Sequence, residues 1–241
     1  MRHSALVASV ILVAGGLFAG PAPIAHADLA GKTIVLDAGH GASVDGPLTR
    51  QVPNGRGGTK DCQTSGTSTN DGFGEHTFNW DVVSRMRDEL TAQGATVVLT
   101  RSDDTGPVPC VDARAKIAND AQPAVIVSIH GDGGPPSGHG FHVNYSSPPL
   151  NAAQAGVVTG LAPVMRDALV ASGLTPSNYI GSDGLYGRAD LAGLNLADYP
   201  EVLVELGNMR NAEDAAKMSS PQGQADYAAA VVKGIDAYLG G

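Results

Sequence analysis

Two histidines in this sequence each follow a short apolar run and precede a glycine. His40 follows the run 33–37 and His130 ends the run 124–130, and both runs are rich in Val and Ile. Such runs are typical of buried strands, so each imidazole is expected at the carboxyl end of a strand. The glycines on either side of His40 permit a sharp turn. Because open α/β sheets bind ligands at the carboxyl ends of parallel strands, the two histidines are candidates for one site.

Two glutamates could complete that site. Glu75 begins a helical pattern after a long polar segment, and Glu205 lies in the apolar run 201–206. An unpaired charge in such a run is costly, so Glu205 requires a partner. Two histidines and one carboxylate form a three-ligand set for catalytic zinc, and a further glutamate can serve as a general base. These residue types therefore favour metal-assisted hydrolysis.

Each of these side chains also has a plainer interpretation. A strand-end histidine is often only a polar residue at the rim of a sheet. Glu75 could simply favour the positive end of its helix, and Glu205 could form an ion pair. The arginines considered for that ion pair are Arg114, Arg188 and Arg210. His76 remains a spare candidate ligand, whereas His139 and His142 lie three residues apart on one predicted strand and so point to opposite faces.

The segments that must carry these residues alternate between strands and helices. The patterns predict strands at 33–37, 95–100, 124–130, 138–145 and 201–206, and helices at 75–94, 111–120, 151–172, 211–218 and 221–239. Residues 41–74 and 173–200 show no regular period. Strands that alternate with helices predict an α/β fold, a single domain built on a mostly parallel sheet.

The first 27 residues have the pattern of a secretory signal peptide. Arg2 provides a basic start, an apolar stretch follows, and the segment 25–27 (A-H-A) is a small-x-small cleavage site. Cleavage there leaves 214 of the 241 residues as one domain, 28–241, and removes one positive charge, so the net charge changes from −9 to −10. We expect an exported protein of the periplasm or cell wall; an uncleaved anchor is the alternative, although the apolar stretch is short for a membrane span.

The acidic net charge bears on the partners. It gives no electrostatic reason to bind nucleic acid or an anionic membrane surface, and no later stretch is apolar enough to span a membrane. We therefore expect no nucleic-acid partner and no membrane span, and we expect a monomer.

The two cysteines, Cys62 and Cys110, lie in the predicted exported domain. An even number of cysteines in an exported chain predicts one disulfide, which stabilises by about 4 kcal/mol in the chain-entropy model. Two free thiols are the alternative, and they would need a reducing compartment. The disulfide would tie down the segment 41–74, which we expect to form an ordered rim beside the site.

Four motifs in order resemble the zinc-dependent N-acetylmuramoyl-L-alanine amidases, which are peptidoglycan amidases. They are D-A-G-H-G at 37–41, a glutamate opening a helix at Glu75, S-I-H at 128–130 and P-E-V-L-V-E-L-G-N at 200–208. The resemblance spans residues 33–239. It implies that His40, Glu75 and His130 bind one Zn²⁺ and that Glu205 is catalytic. It also implies a twisted sheet of about six strands with helices on both faces.

The reaction that the resemblance implies is hydrolysis of the amide between N-acetylmuramic acid and L-alanine, in peptidoglycan or muropeptides. Zinc would polarise the carbonyl, while Glu205 would take a proton from the attacking water and pass one to the departing amine. Asp37 or Asp132 could accept a hydrogen bond from a histidine ligand. Arg114 and Asn208 are further candidates to support the ligands or to contact the substrate.

The chain departs from the family pattern near three of these motifs. After the second histidine the family usually has a small residue and Asn, where this chain has Gly131-Asp132. After the last glutamate it usually has Gly-Phe and then Ser-Asn, where this chain has G-N-M-R-N at 207–211. An arginine usual before the last strand is missing, with Asn195 near its place. These departures affect residues that would contact the substrate more than residues that would bind the metal. Two rival functions remain: another zinc amide hydrolase acting on the stem peptide or the sugar, and a non-catalytic wall-binding homologue. The presence of both histidines and both glutamates argues against the second.

Overall fold

A six-stranded sheet forms the centre of the molecule. The computed structural model describes Met1 and residues 29–240, so the predicted signal peptide lies, apart from Met1, outside the described residues. The strands are β1 (Thr33–Ala38), β2 (Ser43–Val44), β3 (Gln51–Pro53), β4 (Thr59–Asp61), β5 (Thr96–Leu99), β6 (Pro107–Val108), β7 (Val125–Asp132), β8 (His142–Ser146), β9 (Leu185–Arg188) and β10 (Glu201–Asn208).

The order in the central sheet is β5-β1-β7-β10-β8-β9. Strands β5, β1, β7 and β10 run parallel, β8 is antiparallel to β10, and β9 is parallel to β8. The predicted single α/β domain with a mostly parallel sheet of about six strands is therefore confirmed. The parallel arrangement also brings the carboxyl ends of β1, β7 and β10 to the same edge of the sheet.

Helices cover both faces of this sheet. They are α1 (Glu75–Ala92), α2 (Val111–Asp120), α3 (Ala152–Thr159), α4 (Leu161–Ala171), α5 (Ala192–Leu196), α6 (Ala212–Met218) and α7 (Pro221–Leu239). Helices α1, α4 and α7 pack on one face, while α2 and α5 pack together on the other. Helix α1 forms as its four-residue apolar period predicts, because Phe78, Val82, Met86 and Leu90 are all fully buried.

Alternate residues of each strand enter different cores. Ile34 and Leu36 of β1 belong to the large apolar core beneath α1, α4 and α7. Val35 points the other way, into a small core that it shares with Ala118 and Ile126. The two-residue period of a strand produces this division. The small core leaves room for polar side chains on the face covered by α2 and α5.

Three predicted segments differ from the structure. The strand predicted at 138–145 begins only at His142, as β8, so His139 lies outside it. The single helix predicted at 151–172 is two helices, α3 and α4, which meet at Gly160, where the backbone (φ −117°, ψ −91°) is not helical. Glycine has low helix propensity, so a break is least costly there. The segment 173–200, predicted to be irregular, contains β9 and α5. Elements of four and five residues are too short to show a period.

The segment 41–74 carries short strands and is joined to the rest of the fold by the predicted disulfide. Strands β3 and β4 pair as an antiparallel hairpin, and β2 pairs with β6. Cys62 and Cys110 form a disulfide across a sequence separation of 48 residues. Both cysteines are buried with Val52 in a small apolar cluster. The segment is therefore fixed against the start of α2.

Candidate metal centre

The turn that carries His40 is held by hydrogen bonds to its backbone. Arg101 and Arg114 both donate to the Ala38 carbonyl oxygen, at 2.8 and 2.7 Å, and Arg114 also donates to the His40 carbonyl oxygen. His40 adopts a φ of +56°, which is unfavourable for a residue with a side chain. A Cβ at Gly39 would lie 2.2 Å from the His130 ring, so only glycine fits between the two histidines. The turn therefore places both rings side by side.

Glu75 reaches the two histidines from the first position of α1. Its Oε1 lies 3.2 Å from Nε2 of His40 and 2.9 Å from Nδ1 of His130. The Thr67 amide donates to its other oxygen at 2.8 Å. Burial raises the pKa of Glu75, but the hydrogen bonds to His130 and His40 outweigh burial and hold that pKa well below its usual range. Glu75 is therefore an anion between the two rings.

The three side chains fit a metal ion. One ligand atom from each of His40, Glu75 and His130 lies within 4.8 Å of the others. The rings meet edge to face, with centroids 4.8 Å apart. Two imidazoles and one carboxylate are the ligand set of many catalytic zinc sites. The sequence prediction had grouped these three residues, and the structure brings them together.

The contacts outside this set differ from one sequence prediction. Neither Asp37 nor Asp132 accepts a hydrogen bond from His40 or His130, the two candidate histidine ligands; Nδ1 of His40 lies 3.0 Å from the Thr64 carbonyl oxygen instead. Asp37 accepts from Thr100, from Arg114 at 2.9 Å and from Ser128 at 2.6 Å. Asp37 pairs in register with Ser128, two residues before His130, and its carboxylate binds Arg114 rather than an imidazole ring.

Asp132 and Asn208, which were also predicted to support the ligands or contact the substrate, bind a neighbouring side chain and backbone oxygens instead. Asp132 accepts a hydrogen bond from the Tyr179 hydroxyl at 2.7 Å. Asn208 is fully buried and donates to the carbonyl oxygens of Pro135 and Gly138, at 2.8 and 2.7 Å. It therefore holds the loop that follows β7. The hydrogen bonds that the structure gives for these two side chains go to residues other than His40, Glu75 and His130.

His76, the spare candidate ligand, points away from the cluster. Its Nδ1 lies 2.8 Å from a carboxylate oxygen of Asp104. The helix turns each successive residue by about 100°, so the neighbour of Glu75 faces a different direction. His76 therefore belongs to an ion-pair cluster with Asp104 and Arg101.

Glu205 lies beside this cluster on β10, in register with His130 on β7. Its Oε2 atom is buried and has no hydrogen-bond partner among the described residues. Burial, and then the charges of Glu75 and Asp132, raise the pKa of Glu205 well above its ordinary value. A carboxyl group with a raised pKa is suited to accept a proton near neutral pH.

The three arginines considered as partners for Glu205 are engaged elsewhere. Arg114 forms an ion pair with Asp37, and Arg188 forms one with Asp190. Arg210 donates to the Ser68 carbonyl oxygen at 3.2 Å. The described residues therefore provide no ion pair that would explain a buried carboxylate in β10 as a structural feature.

A cavity of about 310 Å³ opens beside these groups, between the sheet and the helices α2 and α5. His40, His130 and Glu205 line one end, and Gln63 and Thr64 of the segment 41–74 form part of a wall, as expected for a rim. Glu201 also lines the cavity and was not identified as a site residue from the sequence. The sequence does contain an indication of this position, because Glu201 and Glu205 are four residues apart on one strand and therefore share a face.

Comparisons with known proteins agree with this geometry. The family model described as N-acetylmuramoyl-L-alanine amidase matches residues 34–237. The chain is 53% identical to the N-acetylmuramoyl-L-alanine amidase Rv3717 of Mycobacterium tuberculosis, over 97% of each chain. It is 27% identical to the N-acetylmuramoyl-L-alanine amidase LytC of Bacillus subtilis, covering 86% of this chain and 36% of LytC.

Solved structures show the same architecture. The crystal structure of the N-acetylmuramyl-L-alanine amidase Ami1 from Mycobacterium smegmatis superposes with a TM-score of 0.87 and 56% identity, covering 88% of this chain and 99% of that one. Ami1 from Mycobacterium abscessus gives a TM-score of 0.86 and 58% identity, covering 87% and 99%. The chain belongs to the N-acetylmuramoyl-L-alanine amidase family.

Proposed function

We propose that this peptidoglycan amidase binds one Zn²⁺ through His40, Glu75 and His130, and that Glu205 is its general base. The observation that carries the proposal is the approach of the three ligand atoms to within 4.8 Å of one another. The buried, partnerless Oε2 of Glu205 beside that cluster supports the second part. When bound, zinc supplies Lewis acidity that polarises a carbonyl and lowers the pKa of water.

Three side chains have separate roles in the proposed reaction. Glu205 takes a proton from the attacking water and then delivers a proton to the departing L-alanine amine. Glu75 lies between the two imidazole rings, where its carboxylate would be the anionic ligand of the ion. Arg114 fixes the His40 turn through two backbone carbonyl oxygens. The amide that is cut joins the lactyl group of N-acetylmuramic acid to L-alanine.

Zinc content and product analysis test this proposal. We expect about one zinc per chain, loss of activity on chelation and recovery when zinc is returned. Glu75→Gln should lose both zinc and activity, whereas Asp88→Asn, on the exposed side of the same helix, should keep both. Mass spectrometry of digested muropeptides should show the whole stem peptide released from the sugar. Cleavage within the peptide, or loss of an acetyl group, would contradict the proposal.

We propose that the chain is exported by its first 27 residues and acts as a monomer. Within residues 29–240, no helix is long and apolar enough to cross a membrane. Amino-terminal sequencing of the exported protein should begin at Asp28, and light scattering should give the mass of one chain. Retention of the leader, or a stable dimer, would contradict the respective part.

The acidic charge suggests a preference in the form of the substrate. We propose that soluble or already trimmed muropeptides are cut faster than intact wall, because a chain of net charge −10 after cleavage is not attracted to anionic wall polymers. Equal rates on intact sacculi and on small fragments would exclude this preference.

A further inference from the structure

Helix α1 contributes a second polar side chain next to the metal centre, besides the candidate ligand Glu75. Four residues further along the helix, Asn79 donates a hydrogen bond from Nδ2 to the Gly39 carbonyl oxygen at 3.0 Å. Residues four apart in an α-helix lie on the same face, so Asn79 lies on the face that carries Glu75. The helix that provides one candidate ligand therefore also binds the turn that carries another, His40.

The burial of Asn79 is not explained by its shape. Asn79 is fully buried, and its Oδ1 atom has no hydrogen-bond partner among the described residues. A buried amide oxygen without a partner costs free energy, so an apolar side chain of the same shape would be more favourable if packing alone mattered. The hydrogen bond from Nδ2 is the one that the structure gives for this side chain. Its donor group is therefore the feature that distinguishes Asn79 from an apolar residue.

The Gly39 carbonyl belongs to the peptide group that joins Gly39 to His40. The orientation of this group is linked to the φ of His40, which is +56° and is unfavourable for a residue with a side chain. Arg114 donates to the oxygen of the next peptide group, that of His40. The peptide groups on both sides of the His40 Cα are therefore held, one from α1 and one from α2. Rotation of either group would turn the imidazole away from Glu75.

Asn79 is separated from the space in which a substrate would lie. The cavity opens on the face covered by α2 and α5, whereas α1 packs on the opposite face of the sheet. Within the described part of the chain, the residues that line the cavity include Gly39 but not Asn79. An effect of Asn79 on the reaction would therefore pass through the turn that carries His40.

We propose that Asn79 is a positioning residue for the metal centre: by holding the peptide group before His40, its amide keeps that imidazole beside the other two ligands. The inference rests on the proposed binding of zinc by these ligands. A ligand that is already in place binds a metal more tightly, because binding then requires no reordering of the turn.

Zinc affinity tests this role, because a side chain that only supports the fold would not change it. Leu has nearly the shape of Asn but no donor. In competition with a chromophoric chelator, we expect Asn79→Leu to raise the zinc dissociation constant by about 10- to 100-fold. In excess zinc, kcat on a soluble N-acetylmuramoyl dipeptide should return to within about threefold of the original, with KM changed less than about twofold.

Met86→Ala is the matched control, because Met86 is a fully buried residue of the same helix. It should lower the free energy of unfolding by creating a cavity, yet leave the zinc dissociation constant within about twofold of the original. If Asn79→Leu does not fold, Asn79→Ala replaces it. That variant removes the donor without adding bulk, and we expect the same rise in the zinc dissociation constant.

Two outcomes would overturn the inference: an unchanged zinc dissociation constant in the folded Asn79 variant, or an equal rise in Met86→Ala, which would indicate a general loosening of the helix. His40→Ala separates this inference from the proposed metal site. If His40→Ala binds zinc as tightly as the original, the proposed site fails. If it loses zinc while the Asn79 variant binds zinc normally, only the role of Asn79 fails.

Discussion

The two faces of the central sheet are built from alternate residues of the same strands, but only one of them carries a cluster of buried ionisable side chains. On the face covered by α1, α4 and α7, β7 contributes Val127 and Ile129 to a continuous apolar core. On the face covered by α2 and α5, the residues in between are Ser128 and His130. Strand β10 repeats the pattern, with apolar residues on the first face and Glu201 and Glu205 on the second.

Because of this difference, residues that contribute to stability alternate with residues that contribute to activity along the same strand. The apolar face gains free energy from burial and packing. The other face buries carboxyl groups whose pKa values are raised, which costs stability, and it holds the clustered histidines. Neighbouring residues such as Ile129 and His130 should therefore give different phenotypes when they are substituted.

The largest effect is expected at Glu205. Glu205→Gln keeps the shape of the side chain but removes its ability to accept a proton, so kcat should fall by about 10²- to 10⁴-fold. Zinc content should not change, because Glu205 is not among the three residues proposed to bind the ion. The measurement is kcat on a soluble muropeptide together with metal analysis of the same sample. Unaltered turnover would exclude the proposed mechanism.

On the apolar face, the expected loss is in stability. Ile129 is fully buried, and Ile129→Ala should lower the free energy of unfolding by about 2–4 kcal/mol through lost burial and a cavity. Denaturant unfolding measures this loss. The kcat of the folded variant should stay close to that of the original, although the next residue is His130. A large fall in kcat at full zinc content would show that the two faces are not independent.

Glu201 tests whether a buried carboxyl group on the second face lowers the free energy of unfolding. Burial, and then the charge of Asp37, raise the pKa of Glu201 to about 8 from an ordinary value of 4.5. Between these values the unfolded chain loses a proton that the folded chain keeps, so stability falls as the pH rises through this window. Glu201→Gln cannot ionise. It should exceed the original in free energy of unfolding by about 1–3 kcal/mol near pH 8 and match it near pH 4.5.

Unfolding curves at the two pH values check this prediction, with Glu213→Gln on the surface of α6 as the matched control. The control should show no comparable difference between the two pH values. An advantage of Glu201→Gln that grows as the pH falls would have the opposite sign and would contradict the raised pKa.

Most of the fold and the ligand cluster follow from local sequence patterns. The runs that end at His40 and His130 are apolar enough to predict buried parallel strands, and such strands bring their carboxyl ends together. Glu75 follows from the start of a strongly periodic helix. These features depend only on neighbouring residues, so they are present in the sequence itself.

What the sequence does not predict depends on contacts between distant residues. Asp37 binds Arg114, 77 residues away, rather than a histidine ligand. The position of His142 beside Glu205 requires the antiparallel register of β8 on β10, and no local pattern specifies a register across 63 residues. Glycine weakens a helix without always ending it, so the sequence pattern does not distinguish a break at Gly160 from one continuous helix.

The smallest effect is expected where polar groups are exposed. Lys116 and Asp120 form an ion pair on α2, the helix that covers the second face, but their side chains are 74% and 63% exposed. Lys116→Ala should change the free energy of unfolding by less than about 0.5 kcal/mol, because water and salt screen such pairs. Its kcat should equal that of the original. If this variant lost as much activity as Glu205→Gln, the expected difference between buried and exposed polar groups would be wrong.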